Sequence, residues 1–117
     1  MSKFTFGNFE VEFDPTDVAF VEKYEVLAEE YNRRITAISK DDKASEVMQQ
    51  MCNVFYDVFN KLFGKETGAK MFGQTNSVAL CVKAFKQLID MMNDYTKTLE
   101  FLPNVTEKPT AAKAKKK

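Results

Sequence analysis

The chain has no histidine and no tryptophan, and its 117 residues include only two cysteines, three prolines and four glycines. Without histidine it lacks the side chain that most often serves as general base and as metal ligand. Cys52 and Cys81 stand far apart among apolar neighbours, without the close spacing of a zinc or redox motif. They are expected to be reduced, buried thiols of a cytosolic protein. No apolar run approaches the roughly twenty residues of a membrane span. The opening Met1-Ser2-Lys3-Phe4-Thr5-Phe6 lacks the apolar stretch of a signal peptide. Gly64-Lys65-Glu66-Thr67-Gly68 has neither the spacing of a phosphate loop nor a strand before it. Glu22, Glu25, Glu29 and Glu30 cluster beside Lys23 and Arg33, as on a solvated helix face. No catalytic, cofactor-binding or metal-binding residue is assigned, and the reading is of a protein without enzymatic activity.

What is present is phenylalanine, eleven residues of it, with six methionines. Both residue types suit surfaces that adapt to a partner, and both also fill ordinary cores. Net charge is zero but unevenly spread: residues 1–102 hold 12 basic and 16 acidic side chains, residues 103–117 five lysines and one glutamate. An acidic body argues against a broad nucleic-acid face.

Phe4, Phe6, Phe9, Val11 and Phe13 alternate with polar residues around Gly7-Asn8. Glycine at the first central position of a two-residue loop predicts a type II′ hairpin. That loop pairs Phe6 with Phe9 and Phe4 with Val11, and puts all five large side chains on one face. An isolated hairpin is marginal in water, so this one must lie on helices. Its outer edge stays open to a third strand.

Asp14-Pro15-Thr16-Asp17 predicts a helix start, with Asp14 as N-cap and Pro15 at the first helical position. Tyr24, Ala28, Tyr31, Ile35 and Ile38 then form a stripe that Val21 and Leu27 widen, and Glu29–Arg33 and Glu30–Arg34 are i,i+4 pairs. A break at Ser39-Lys40-Asp41-Asp42 leads into a second helix from Lys43 to Phe63, stopped by Gly64. Between Glu46 and Phe63, eleven of eighteen residues are apolar. The polar ones share an arc of roughly 120°, at about 100° per residue. A helix so apolar must be buried from several sides, by the rest of the chain, by other copies or by a partner. Asp57 lies alone in the polar strip and is read as exposed. Lys65 to Gly73 predicts a short helical turn whose Met71 and Phe72 plug one end of the bundle. Asn76 or Ser77 caps a third helix, with Val78, Cys81, Phe85, Leu88, Met92, Tyr95 and Leu99 along one face.

The expected fold is mainly α: an N-terminal β-hairpin packed on a three-helix bundle with one short extra helix. Residues 1–102 form the domain and 103–117 a disordered, Lys-rich tail. Phe55, Phe59, Phe63 and Phe72 are the candidate partner-binding residues, with burial in a closed core as the alternative for each. The two readings are compatible, since one rim of a closed core can stay open to a partner.

Three segments carry a family resemblance. They are Phe9-Glu-Val-Glu-Phe-Asp-Pro15 ahead of Val21-Glu-Lys-Tyr-Glu25, then Val54-Phe-Tyr-Asp-Val-Phe-Asn-Lys-Leu-Phe-Gly64, then Lys70-Met-Phe-Gly73 with Val78-Ala-Leu-Cys-Val-Lys-Ala-Phe-Lys-Gln-Leu-Ile-Asp90. Their order over residues 4–95 resembles the tail assembly chaperones of long-tailed phages and prophages of Gram-positive bacteria. The resemblance implies a non-enzymatic factor of the bacterial host cytoplasm that shields the long helical tape measure protein. It also implies recruitment of the tail tube protein, and self-association. It implies no nucleic-acid, membrane or small-molecule substrate. Such families often make a longer product by frameshifting, and the purine-rich codons of Lys115-Lys116-Lys117 would suit a shift site as well as an ordinary basic end. The alternatives are a structural tail or connector component, and a small regulatory adaptor with a single protein partner.

Overall fold

A computed structural model describes residues 2–94. The order is β1 (Ser2–Phe6), β2 (Phe9–Phe13), α1 (Val18–Thr36), α2 (Ala44–Phe63), α3 (Thr67–Phe72) and α4 (Val78–Asn93). The fold is the expected one, mainly helical with an N-terminal antiparallel hairpin. The expectations for Tyr95, for Leu99, for the domain boundary at 102 and for the Lys-rich segment lie outside the described residues.

The hairpin has the predicted register, with Phe6 opposite Phe9 and Phe4 opposite Val11. Gly7 sits at φ +60°, which the tight mirror-image turns need at this position. Phe4 and Phe13 are buried and Phe6, Phe9 and Val11 pack against the core, while Lys3, Thr5, Glu10 and Glu12 face solvent. The turn rests on the C-terminal end of α3, where the Asn8 N–H donates to the Lys70 carbonyl at 3.0 Å. Hairpin and helix end thereby satisfy two groups that would otherwise need water.

α1 begins three residues later than the Asp-Pro motif suggests. The Asp14 carboxylate accepts from both the N–H and the hydroxyl of Thr16, at 2.9 and 2.6 Å, and so closes a local turn. Asp17 is the N-cap instead, accepting from the Phe20 N–H at 3.0 Å. The delay lets the chain swing out of the hairpin so that Phe20 stacks on Phe13, with ring centroids 4.8 Å apart. Gly64 and Gly73 end α2 and α3, and Ser77 caps α4 by accepting from the Leu80 N–H. α2 has no side-chain cap at Lys43, and residues 44–46 are exposed.

α2 is the central element, packed by α1, α3 and α4, with the hairpin closing the end where Phe59 and Phe63 lie. Apart from Met48, its wide apolar arc is wholly or partly covered within one chain. Phe59 takes one ring from each direction: Phe4 of the hairpin at 6.0 Å, Phe72 of α3 at 6.1 Å and Phe85 of α4 at 6.3 Å. Phe63 gathers Phe4, Phe9 and Phe13 of the hairpin with Phe20 of α1, all within 5.9 Å. The polar strip of α2 is a hydrogen-bonded seam. Asp57 pairs with Arg34 at 2.8 Å, Lys61 with Glu30 at 2.9 Å, and Asn60 accepts from the Gly68 N–H at 2.7 Å. Asp57, read from sequence as an exposed strip residue, is half-buried because α1 lies alongside it. Of the two expected pairs within α1, Glu30–Arg34 forms at 3.5 Å; Glu29–Arg33 is not among the ion pairs of the described residues.

Candidate functional site

The four phenylalanines singled out from sequence occupy two settings. Phe55, Phe59 and Phe72 are buried in the core, and Phe63 is half-buried against the hairpin. A partner reaches the first three only if the domain opens, so the apolar surface accessible in this structure lies elsewhere. It comes from packing that is incomplete on one side of the bundle. On α1 only Leu27 is buried, while Val21, Tyr24, Tyr31 and Ile35 are half-covered and Val18 is 70% exposed. The reason is that α1 packs chiefly on α2, and only its edge reaches α4. Tyr31 touches Phe85 of α4 at 4.7 Å. Further along, the two helices leave between them a groove of about 450 Å³ walled by Pro15, Val21, Tyr24 and Glu25 on one side and by Met92 and Asn93 on the other. Partial burial pushes the Tyr24 and Tyr31 hydroxyls above their ordinary pKa.

Met48 is a second exposed apolar residue, 54% accessible. It lies one turn before Cys52 on the stripe that continues through Phe55 and Phe59. Leu80 and Val82 flank the buried stripe of α4 and are also exposed. The outer face of α1 carries Glu22, Glu25 and Glu29 in solvent. None of these features requires chemistry.

A polar cleft of about 570 Å³ lies between α1, α2 and the α3–α4 connection, lined by Arg34, Gln49, Asn53, Tyr56, Asp57 and Asn76. Its groups largely bind one another: Arg34 to Asp57, Gln49 to Asn53 at 3.0 Å, Asn76 to Gln49 at 3.3 Å, and the Tyr56 hydroxyl to the Thr75 carbonyl. The Lys61 ammonium donates to Glu30 and, with Arg34 nearby, holds that carboxyl below the usual range. The cleft is a seam that fastens α1 and the α3–α4 loop to α2. No group of three or more candidate metal-binding side chains occurs among the described residues. Nor is any described helix long and apolar enough to cross a membrane.

Cys52 and Cys81 are both free and buried, as expected, and the fold makes them neighbours across α2 and α4. Burial, and then the neighbouring Cys52, push the Cys81 thiol from 9.0 up to about 12. Native protein at pH 8 should therefore react with a disulfide reagent only at the rate of its unfolding, and at once in urea. A pH dependence is expected as well. Above pH 9 the unfolded chain loses the Cys81 proton while the folded chain keeps it. Stability should fall as pH rises from 9 towards 12, by at most about 1.4 kcal/mol per unit. Urea titrations of wild type and Cys81→Ala across that range check the sign, since the slope should be shallower in the variant.

The groove was not legible in advance because its two walls come from stretches far apart in sequence. Val21, Tyr24 and Met92 each sit on a predicted apolar stripe, but no local pattern states that these stripes meet edge to edge and leave a gap.

The sequence profile of a family of unknown function (DUF6673) matches residues 7–117. No curated protein and no solved structure matches the chain.

Proposed function

The chain belongs to that family of unknown function, and we propose that it is a non-enzymatic protein-binding factor, a phage tail assembly chaperone of the bacterial host cytoplasm. In this role it shields apolar helical faces of the tape measure protein and helps recruit tail tube subunits, with several copies acting along one partner chain. The observation that carries the proposal is the apolar groove that the described residues leave between α1 and α4. A groove of half-covered Val and Tyr side chains suits the apolar face of an amphipathic helix. Its modest size suits weak contact, and many weak contacts along one long partner give strong overall retention that can still be released. The acidic outer face of α1 would keep such assemblies soluble and favours partners with basic residues beside their apolar stripe.

The test is co-expression with the long helical tape measure protein, followed by purification and mass determination. A soluble complex with many copies of this chain per partner supports the proposal. An insoluble partner with this chain purifying alone overturns it. So does recovery of the chain from finished particles, which marks a structural component, or a one-to-one complex with another protein, which marks an adaptor.

A further inference from the structure

We propose that the outer edge of β2 is a second docking site, which takes an extended segment of a partner protein as a third strand. That segment carries basic residues on its solvent face and one large apolar side chain on its inner face. The proposal goes beyond the function above and does not rest on it. In a hairpin closed by two residues, the pair flanking the turn exchanges both main-chain hydrogen bonds, and every second pair repeats this. Phe6 lies opposite Phe9 and Phe4 opposite Val11. Lys3 and Thr5 on β1, and Glu10 and Glu12 on β2, therefore turn their N–H and carbonyl groups outward. The two edges differ in what meets them. α4 packs against β1, and the Gln87 side-chain amide donates to the outward Thr5 carbonyl at 2.9 Å. On β2, among the described residues, no hydrogen bond from outside the hairpin reaches the main chain of Glu10 or Glu12. A row of unpaired main-chain groups is a template for one more strand.

The surroundings of the edge state the chemistry of its occupant. Residues of a third strand that lie beside Glu10 and Glu12 share their solvent face, and those beside Phe9 and Val11 share the inner face. On the inner face the half-buried Phe9 and Phe63 wall a pocket of about 300 Å³ with Gly64 and Thr67, room for one large apolar side chain. On the solvent face Glu10 and Glu12 are exposed. Lys3 stands opposite Glu12 but gives its ammonium to Glu10 at 3.3 Å, so Glu12 has no ion pair among the described residues. Neighbouring strands gain from opposite charges and lose from like ones, which asks for lysine or arginine here. The same carboxylates turn away a second copy of this chain. β2 against β2 of another copy sets glutamate beside glutamate, and the β1 edge of another copy is held by its own Gln87. Lys65, Glu66 and Lys70 on the pocket rim are of mixed sign and favour neither charge.

The experiment is amide exchange by NMR on the full-length, isotope-labelled chain. The probe is a short peptide, capped at both ends, that alternates lysine with valine around a central phenylalanine. Its control is the same peptide with glutamate for lysine. The Glu10 and Glu12 amides should exchange fast in the free chain and slow by about tenfold with the lysine peptide. Phe9 and Val11, paired within the hairpin, should keep their rates, and the glutamate peptide should change nothing. In Glu10→Lys/Glu12→Lys the preference should reverse, so that only the glutamate peptide protects. Both side chains are exposed, and far-UV circular dichroism checks that the variant folds; if it does not, the two peptides on the wild-type chain decide alone. Equal protection by both peptides overturns the proposal, and so does protection by neither or a response confined to Val21 and Tyr24. Slow exchange at Glu10 and Glu12 in the free chain overturns it as well. The edge is then already covered, by a second copy where protection grows with protein concentration and by the chain itself where it does not.

Discussion

Replacing Phe59 by aspartate should leave the chain without a cooperatively folded domain. The ring is 0% exposed and meets Phe4, Phe72 and Phe85, one from each of the hairpin, α3 and α4. Losing a buried phenylalanine costs about 3–5 kcal/mol through lost transfer energy and the cavity left behind. A carboxylate in its place finds no cation among the surrounding rings. It must either be buried charged or bind a proton, at a further cost of several kcal/mol. The sum is comparable to the whole stability of a domain this size, about 5–15 kcal/mol. Far-UV circular dichroism during urea titration should show no sigmoidal transition for the variant. Phe59→Leu, which keeps most of the volume, should retain one with a loss of about 1–1.5 kcal/mol. A folded Phe59→Asp that had lost only partner binding would mean that Phe59 is on a rim, contrary to its packing among these three rings.

The second large effect is expected at Gly7, where alanine should cost roughly 2–4 kcal/mol. Two independent demands meet at this residue. Its φ of +60° lies in the left-handed region, which penalises any side chain. A Cβ there would also run into the main-chain carbonyl oxygen of Met71, and would lie 3.1 Å from that of Lys70. Backbone at a helix end cannot rotate away as a side chain can, so the hairpin must lift off α3 and give up the Asn8–Lys70 hydrogen bond. Gly73→Ala separates the two causes, because Gly73 has nearly the same φ of +63° but nothing within 4 Å of its Cβ position. That variant should lose only the conformational part, about 1–2 kcal/mol. Equal losses at the two positions would show that the close approach to α3 is not a constraint. Amide exchange at Asn8 gives a local readout, with protection lost in Gly7→Ala and kept in Gly73→Ala.

The two variants also mark where sequence reasoning holds and where it stops. The hairpin register and the ends of α2 and α3 at Gly64 and Gly73 were readable in advance, and the cap of α4 was narrowed to Asn76 or Ser77, of which the structure uses Ser77. Each depends on backbone energetics within a few residues: a positive φ, a side-chain oxygen near an unpaired N–H, an alternation of side-chain faces. The start of α1 is the instructive exception. Asp14 and Asp17 are both competent caps, and local chemistry alone does not rank them. The packing of Phe20 on Phe13 requires a turn between hairpin and helix, and the Asp14–Thr16 hydrogen bonds close that turn.

Coverage of surfaces is a different kind of property. The sequence by itself determined that α2 needs neighbours on several sides, that the hairpin must lie on helices, and that no histidine is there to serve as base or ligand. Only the tertiary structure decided which neighbours arrive. It closed Phe55, Phe59 and Phe72 inside the core, paired Asp57 with Arg34, brought Cys52 against Cys81, and left Val21 and Tyr24 beside a groove. The physical reason is one of range. Burial is a sum over contacts between elements far apart in the chain, and it changes with a shift of one helix that no local preference registers.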